Sequence, residues 1–226
     1  MSAKAMPNDD EWTTVLGLGS LLSETSSRVT FPDLKNFRLG RVANYRRIFG
    51  HSPAVFYKRG IANPETKELS SLSAEFVDGH PGFMCTVFEV PSEIMMEGGI
   101  PGEAYREREE EFDIQSVPYQ DLSSGTVHKG ILCVKWSDEA YIEYWGQERF
   151  DEKYTKQGIP TIWGWSPDSG LRPCRKYFQL CLKAAMEMGQ ECYNSFLDET
   201  FLVDRATTIR TYLDQYPSIL EEIKKS

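Results

Sequence analysis

The chain has 226 residues, of which 40% are hydrophobic and 26% are charged, and its formal net charge is −9 with a pI near 5.0. These values are typical of a globular protein with one large core and argue against a disordered chain. The acidic balance, without a long basic cluster, argues against nucleic acid as a partner. No run of about twenty apolar residues and no apolar leader is present, so we expect no membrane association and a cytoplasmic location.

Cysteine and histidine spacing gives no sign of a metal site. The cysteines are odd in number and lack C-x-x-C pairs, which predicts buried free thiols. The histidines are not spaced from one another or from cysteines as zinc ligands are. We therefore expect neither a metal nor a cofactor. The residues concerned are Cys85, Cys133, Cys174, Cys181 and Cys192, with His51, His80 and His128.

The N-terminal half is rich in β-favouring runs, and helical patterns are few. This balance does not fit a regular alternation of strands and helices. It predicts an α+β fold with a small mixed, mostly antiparallel β-barrel flanked by helices. Strands are predicted at residues 13–18, 39–49 (with one face exposed to solvent), 54–57, 71–77, 84–90, 114–119 and 130–136, and helices at 92–96, 103–112 and 138–145.

The C-terminal part is predicted to be helical. Residues 146–171, which contain Trp163, are expected to form a long loop. After Pro173, apolar residues recur at helical spacing as far as Gly189, a residue suited to the end of a helix. Asp204 is expected to cap a last helix that stops at Pro217. We assign residues 12–189 to one domain and residues 190–226 to a helical extension packed on it.

The first candidate site is the segment Leu16-Gly-Leu-Gly-Ser-Leu21 at the end of a strand. Glycines allow a sharp turn in which successive backbone N–H groups point outward and bind a carboxylate or phosphate. The segment is not a P-loop, because no Gly-Lys-Ser/Thr follows, and it lacks the third glycine of a dinucleotide fingerprint. A purely structural turn is the alternative reading.

The second candidate site is the charge run at residues 103–112. At about 100° per residue, a helix places Tyr105, Glu109 and Phe112 on one side. Burial of that side beside like charges would raise the pKa of Glu109 and suit it to act as a general acid and base. The alternative is that Glu109 only pairs with an arginine, Arg106 or Arg108, at the helix edge. The far side of the helix is expected to carry Glu107, Glu110 and Glu111.

Three motifs in register resemble the gamma-glutamylcyclotransferase superfamily. The segment Gly17-Leu-Gly-Ser-Leu21 is similar to its Tyr-Gly-Ser-Leu signature, and residues 44–49 (Asn-Tyr-Arg-Arg-Ile-Phe) resemble the Arg-Arg-Phe strand of its glutathione-degrading branch. Residues 105–109 (Tyr-Arg-Glu-Arg-Glu) resemble the family's Leu-x-x-x-Glu helix. The resemblance covers roughly residues 13 to 140.

The resemblance implies a small barrel flanked by helices and release of 5-oxoproline from a small gamma-glutamyl substrate. It implies that Glu109 is the catalytic acid and base, with Glu107 as the fallback if the helix register is shifted. Leu18 stands where relatives have tyrosine, and the segment after Glu109 also departs from the family pattern. The substrate-binding residues implied are Leu18, Gly19, Ser20 and Leu21.

Two other functions are compatible with the same sequence. One is a non-catalytic binding module on this fold, because a fold does not fix a function. The other is an interaction protein that uses the helices from Phe178 onward and the loop around Trp163. The sequence does not determine the leaving group or the oligomeric state.

Overall fold

The computed structural model describes residues 11–97 and 100–225. Its strands are β1 (Trp12–Gly17), β2 (Lys35–Val42), β3 (Tyr45–His51), β4 (Glu68–Phe76), β5 (Phe83–Pro91), β6 (Met96–Glu97), β7 (Ile100–Pro101), β8 (Asp113–Asp121), β9 (Val127–Val134), β10 (Arg172–Pro173) and β11 (Thr200–Leu202). Its α-helices are α1 (Glu24–Thr30), α2 (Ala54–Lys58), α3 (Glu103–Arg108), α4 (Asp138–Trp145), α5 (Gln147–Lys153), α6 (Arg175–Glu187), α7 (Gln190–Asp198), α8 (Ile209–Gln215) and α9 (Ser218–Lys225).

Five strands close into a small barrel. Their order is β1, β5, β2, β8, β9, and Val15 of β1 pairs in parallel with Ile131 of β9 to close the ring. The other four neighbouring pairs of the ring are antiparallel. The predicted α+β fold with a mixed, mostly antiparallel barrel is therefore confirmed.

A second group of strands extends from the barrel. Ala74 of β4 pairs with Val134 of β9, and β3 follows β4 in antiparallel register. Strand β11, from the C-terminal part, adds to β3 in parallel. The C-terminal part thus contributes to the sheet as well as to the helical layer.

One hydrophobic core joins the barrel to the C-terminal helices. Leu16, Val87 and Leu132 from the barrel belong to the same buried cluster as Phe178 of α6 and Phe196 of α7. Each of these side chains is at most 3% exposed. Burial of a large apolar side chain contributes about 2 kcal/mol, so this contact holds the helices on the barrel.

Helix α6 matches the prediction made from residues 173–189. Its face formed by Phe178, Leu182 and Ala185 is buried. Gly189 follows the helix with a φ of 93°, a backbone conformation that glycine adopts without steric cost. The predicted strands near residues 13–18, 71–77, 84–90, 114–119 and 130–136 are likewise confirmed.

The prediction of one strand over residues 39–49 with a solvated face is wrong. The chain forms two strands, β2 and β3, separated at Asn44, whose φ is 62°. Arg47 of β3 is fully buried, and its guanidinium lies 5.0 Å from the ring centroids of both Phe83 and Phe196. These aromatic contacts allow a cation to occupy a position that the pattern assigned to solvent.

Three shorter predictions in the N-terminal half also need correction. Residues 54–57 form helix α2, and Pro53 before it is the N-cap, with the extended backbone (φ −81°, ψ 139°) that is usual at this position. Residues 92–96 contain only a 3-10 turn, Ser92–Ile94, before β6 begins. The helix predicted over 103–112 ends at Arg108.

The segment 146–171 is not one long loop. Helix α5 occupies its first part, and a 3-10 turn, Thr155–Gln157, follows. Phe150 and Tyr154 are buried against Tyr141 of α4, which explains why this segment is ordered as helix. Helix α4 itself is confirmed at its predicted bounds.

Asp204 does not cap the helix predicted after it. Its carboxylate accepts hydrogen bonds from the backbone N–H groups of Ala206 and Thr207 and stabilises a turn. Thr208 is the N-cap of α8, where its hydroxyl accepts from the Thr211 N–H. A further helix, α9, begins after Pro217, so α8 is not the last helix.

All five cysteines are free, and four of them are buried as predicted, while Cys133 is partly exposed. No helix in the described ranges has the length and apolar character that crossing a membrane requires.

Candidate active site

The turn after β1 is held in place through its carbonyl groups. The Gly19 carbonyl accepts from the Leu22 N–H at 3.0 Å, and the Ser20 carbonyl accepts from the Ser23 N–H at 3.2 Å. The Leu21 carbonyl accepts from the hydroxyls of Thr86, at 2.7 Å, and Ser27, at 3.0 Å. Four donors therefore fix the three carbonyls of this turn.

This arrangement directs two amides away from the turn. In a trans peptide, the C=O and the N–H point in opposite directions. Because the carbonyls of Gly19 and Ser20 are occupied within the turn, the N–H groups of Ser20 and Leu21 face outward. Such outward amides attract anions without a charged side chain.

Close packing explains why glycines stand in this segment. A Cβ atom at Gly17 would lie 2.4 Å from the Thr86 hydroxyl, and one at Gly19 would lie 2.5 Å from the Tyr177 hydroxyl. Both distances are shorter than van der Waals contact permits. The glycines therefore let the chain approach β5 and α6 closely.

Glu109 lies directly after α3, with φ −104° and ψ 35°, rather than inside the helix. Its side chain is 20% exposed, and Arg108 Nε lies 3.2 Å from its Oε1. The thiol of Cys133 contacts the other carboxylate oxygen at 4.0 Å. Burial raises the pKa of Glu109, and the Arg108 guanidinium opposes that shift. Glu109 therefore shows both features considered from the sequence. It pairs with an arginine, and its carboxylate is partly buried.

One cavity of about 250 Å³ brings the predicted site residues together. Its volume is just below the range of roughly 300–1,000 Å³ seen for drug-sized ligands, which suits a small metabolite. Its wall also includes Ser71 and Tyr177, which the sequence reasoning missed. The predicted residues that line it are Leu18, Gly19, Ser20, Leu21 and Glu109.

Glu107, the fallback, lies outside this cavity. Its side chain is 55% exposed, and Arg149 Nη1 lies 3.5 Å from its Oε1. The structure therefore separates the two candidates by their surroundings: Glu107 belongs to a solvated face, whereas Glu109 lines the cavity.

The expectation that Glu110 and Glu111 lie on an exposed face is wrong, since they are 8% and 9% exposed. The chain leaves the helix after Arg108 and turns beneath α5. There Arg149 and Lys153 each approach Glu110 Oε2 to 2.7 Å.

Glu111 is a second acidic residue of the cavity. The Tyr154 hydroxyl donates to its Oε1 at 3.0 Å. Burial, reinforced by the neighbouring charge of Glu110, raises the pKa of Glu111 to about 7, and the hydrogen bond from Tyr154 opposes the shift. Glu111 lies after the end of α3, so a helical projection does not give the direction of its side chain.

His51 at the end of β3 also lines the cavity and is fully buried. A lone histidine beside Ser-Pro gave no signal, because its neighbours Phe112 and Trp163 are distant in the sequence. Across the described ranges, no group of three or more His, Cys, Asp or Glu side chains is arranged to hold a metal ion.

A wide groove of about 1330 Å³ adjoins the cavity. Val55, Arg108 and Glu111 line both spaces, so the cavity and the groove share part of their wall. The groove carries acidic and basic side chains in mixture, including Lys58 and Glu148.

No protein-family model matches the chain, and no curated protein matches it. Among solved structures, a gamma-glutamyl cyclotransferase is similar at 12% identity and a TM-score of 0.48, with coverage of 96% of this chain and 100% of the other. An uncharacterized protein from Homo sapiens is similar at 13% identity and a TM-score of 0.48, covering 79% and 81%. A protein from Arabidopsis thaliana follows at 12% identity and a TM-score of 0.33, covering 69% and 85%.

At these identities and TM-scores, the likenesses assign neither an activity nor a substrate to this chain.

Proposed function

We propose that this protein is a gamma-glutamylcyclotransferase that releases 5-oxoproline from a gamma-glutamyl amide or peptide. One observation carries the proposal: Glu109 and the Gly19–Leu21 turn line the same small cavity. A gamma-glutamyl group has a carboxylate at one end and a reacting carbonyl at the other. The cavity offers amides suited to the first and an acid–base group suited to the second.

The substrate supplies its own nucleophile in this reaction. Its neutral α-amine attacks the γ-carbonyl carbon, and a new carbon–nitrogen bond closes the five-membered lactam. The bond from that carbon to the leaving nitrogen breaks, which yields 5-oxoproline and a free amine. The protein needs only to hold the chain folded and to move one proton, so effective concentration supplies much of the rate increase.

Glu109 is assigned the proton transfer. Its carboxylate accepts a proton from the attacking amine and then donates it to the leaving nitrogen. Burial raises the pKa of Glu109, which makes its carboxylate a stronger base toward the attacking amine. Arg108, 3.2 Å away, keeps the carboxylate form accessible despite the burial.

The N–H groups of Ser20 and Leu21 are assigned the substrate α-carboxylate. Because four donors already fix the carbonyls of the turn, these amides are preorganised for an anion. Preorganised donors lose little free energy through rearrangement when the substrate binds. Leu18, where relatives carry tyrosine, contributes an apolar wall.

The proposal is tested by incubating the purified protein with a panel of gamma-glutamyl compounds and identifying the products by mass. We expect 5-oxoproline and the free amine. Release of glutamate would indicate hydrolysis instead, and binding without turnover would favour the non-catalytic binding module. Either result would contradict the proposal.

A further inference from the structure

His51 is a buried polar residue whose ring nitrogens form no hydrogen bond within the described part of the chain. The residue is fully buried, and neither Nδ1 nor Nε2 has a hydrogen-bond partner in the described part of the chain. Buried polar atoms are nearly always paired, so an unpaired imidazole in a cavity wall indicates a ligand or water that completes it.

Aromatic packing fixes the orientation of this imidazole. Its ring stacks on Trp163, with centroids 4.3 Å apart, and meets the edge of Phe112 at 5.0 Å. Burial lowers the pKa of His51 to about 3, so the ring is neutral at physiological pH. A neutral imidazole presents one N–H donor and one nitrogen acceptor.

Glu111 lines the same cavity as His51. The Trp163 indole N–H donates to the Glu111 backbone carbonyl at 2.8 Å, so the tryptophan contacts both His51 and Glu111. Glu111 also lines the adjoining groove. Trp163 therefore links two polar residues, His51 and Glu111, that line the same cavity.

We propose that His51 and Glu111 form a second subsite, which binds a neutral hydrogen-bonding group, an amide or a hydroxyl, in the leaving portion of the substrate. The inference rests on the proposed function for the placement of the glutamyl group. With the α-carboxylate assigned to the turn and the γ-carbonyl to Glu109, the remaining polar wall of the cavity, His51 and Glu111, is assigned to the leaving portion.

The chemistry of the pair sets the preference. A hydroxyl or amide group can satisfy an imidazole nitrogen that is otherwise unpaired. An alkyl group of the same size leaves that nitrogen buried without a partner, and a site built around a hydrogen bond rejects such an analogue. The neutral ring gives no charge attraction for a carboxylate at this position.

The test compares two ligands of equal size, γ-glutamylethanolamide and γ-glutamylpropylamide, by calorimetry. Every protein carries Glu109→Gln to prevent turnover. In this background we expect the hydroxyl compound to bind about tenfold more tightly than the alkyl compound. Adding His51→Phe, which keeps a stacking ring but removes both nitrogens, should reduce the preference to less than about twofold.

Two further variants complete the design. His128→Phe, at an exposed histidine outside the cavity, is the matched control and should keep the full preference. His51→Gln restores an amide donor and acceptor and should recover part of the preference. This second substitution keeps the test informative if His51→Phe does not fold.

An unchanged preference in both His51 variants would overturn the inference, and so would failure of both compounds to bind. A hydroxyl preference that depends on His51, in a protein whose wild type releases no 5-oxoproline, would refute the proposed function while supporting the subsite. The two failures are therefore distinguishable.

Discussion

Two groups of buried glutamates in this molecule have opposite electrostatic surroundings. Glu75 of β4 is 9% exposed and is paired with three cations, Arg46 at 2.6 Å, Arg205 at 2.8 Å and Lys135 at 3.1 Å. Burial alone would raise the pKa of Glu75, but hydrogen bonds from Arg205 and Arg46 outweigh it and lower the pKa to about 2.

The glutamates of the cavity have different surroundings, in which Glu109 pairs with Arg108 at 3.2 Å. Glu111 is as buried as Glu75, yet it receives a hydrogen bond from the Tyr154 hydroxyl, and its pKa rises to about 7. The neighbouring Glu110 is paired with Arg149 and Lys153. Pairing with cations, more than burial, therefore explains why the pKa of Glu75 falls while that of Glu111 rises. Glu109 and Glu111, whose pKa values burial raises, both line the cavity, where an acid–base function is expected.

The largest expected change in the free energy of unfolding comes from replacing Glu75. Glu75→Gln leaves three cations around a neutral side chain and should lower the free energy of unfolding by about 3 kcal/mol. Glu24→Gln, which breaks the exposed pair with Arg28, is the control and should cost less than about 1 kcal/mol. Urea unfolding at pH 7 measures both. Equal losses would mean that the buried ion pairs of Glu75 contribute no more to stability than an exposed pair does.

The second effect concerns Glu111. The unfolded chain releases this proton near its ordinary pKa of 4.5, whereas the folded protein releases it near 7. Stability therefore falls as pH rises through this window, and the wild type should lose about 2 to 3 kcal/mol relative to Glu111→Gln between pH 5 and pH 8. If the free energies of unfolding of the two proteins changed equally with pH, the raised pKa of Glu111 would be contradicted. Glu107→Gln should follow the wild type.

His51 should make the free energy of unfolding change with pH in the opposite direction to Glu111. Its pKa is about 3 in the folded protein, below the ordinary 6.5, so only the unfolded chain takes up a proton as pH falls below about 6.5. The wild type should therefore lose about 2 kcal/mol relative to His51→Phe between pH 7 and pH 5. Thermal unfolding across this range checks the prediction. An equal acid sensitivity of both proteins would show that the ring is charged or hydrated.

The smallest effect tests the turn. A methyl group at Gly19 would lie 2.5 Å from the Tyr177 hydroxyl, so Gly19→Ala should destabilise the protein by about 1 kcal/mol. Removing that hydroxyl in the double variant with Tyr177→Phe should recover part of the loss. Additive losses in chemical unfolding would mean that the contact is not as close as the structure has it.

The barrel strands were accessible from sequence because their β-favouring runs are bounded by turn residues. Residues 39–49 predict one strand with a solvent-exposed face. This prediction is wrong at Arg47, because two aromatic rings from distant segments bury its guanidinium. Residues 54–57 favour a strand by composition, because a run of four apolar or aromatic residues is too short to show a helical period. Local patterns do not contain such tertiary contacts.

The site was predicted in part. The cavity contains the Gly-Ser turn and Glu109 together, although α3 ends one residue before Glu109. Glu111 was placed on the wrong face, because the helical projection assumed a helix that the chain leaves after Arg108. His51 was missed because its burial depends on Trp163, more than a hundred positions later in the sequence.

The rate of 5-oxoproline release by Glu109→Gln, measured beside Glu107→Gln and the wild type, tests the central claim most directly. Both substitutions remove one carboxylate from the same short segment, but only Glu109 lines the cavity. We expect Glu109→Gln to lose activity by about 100-fold or more and Glu107→Gln to keep it. Wild-type activity in Glu109→Gln would contradict the account.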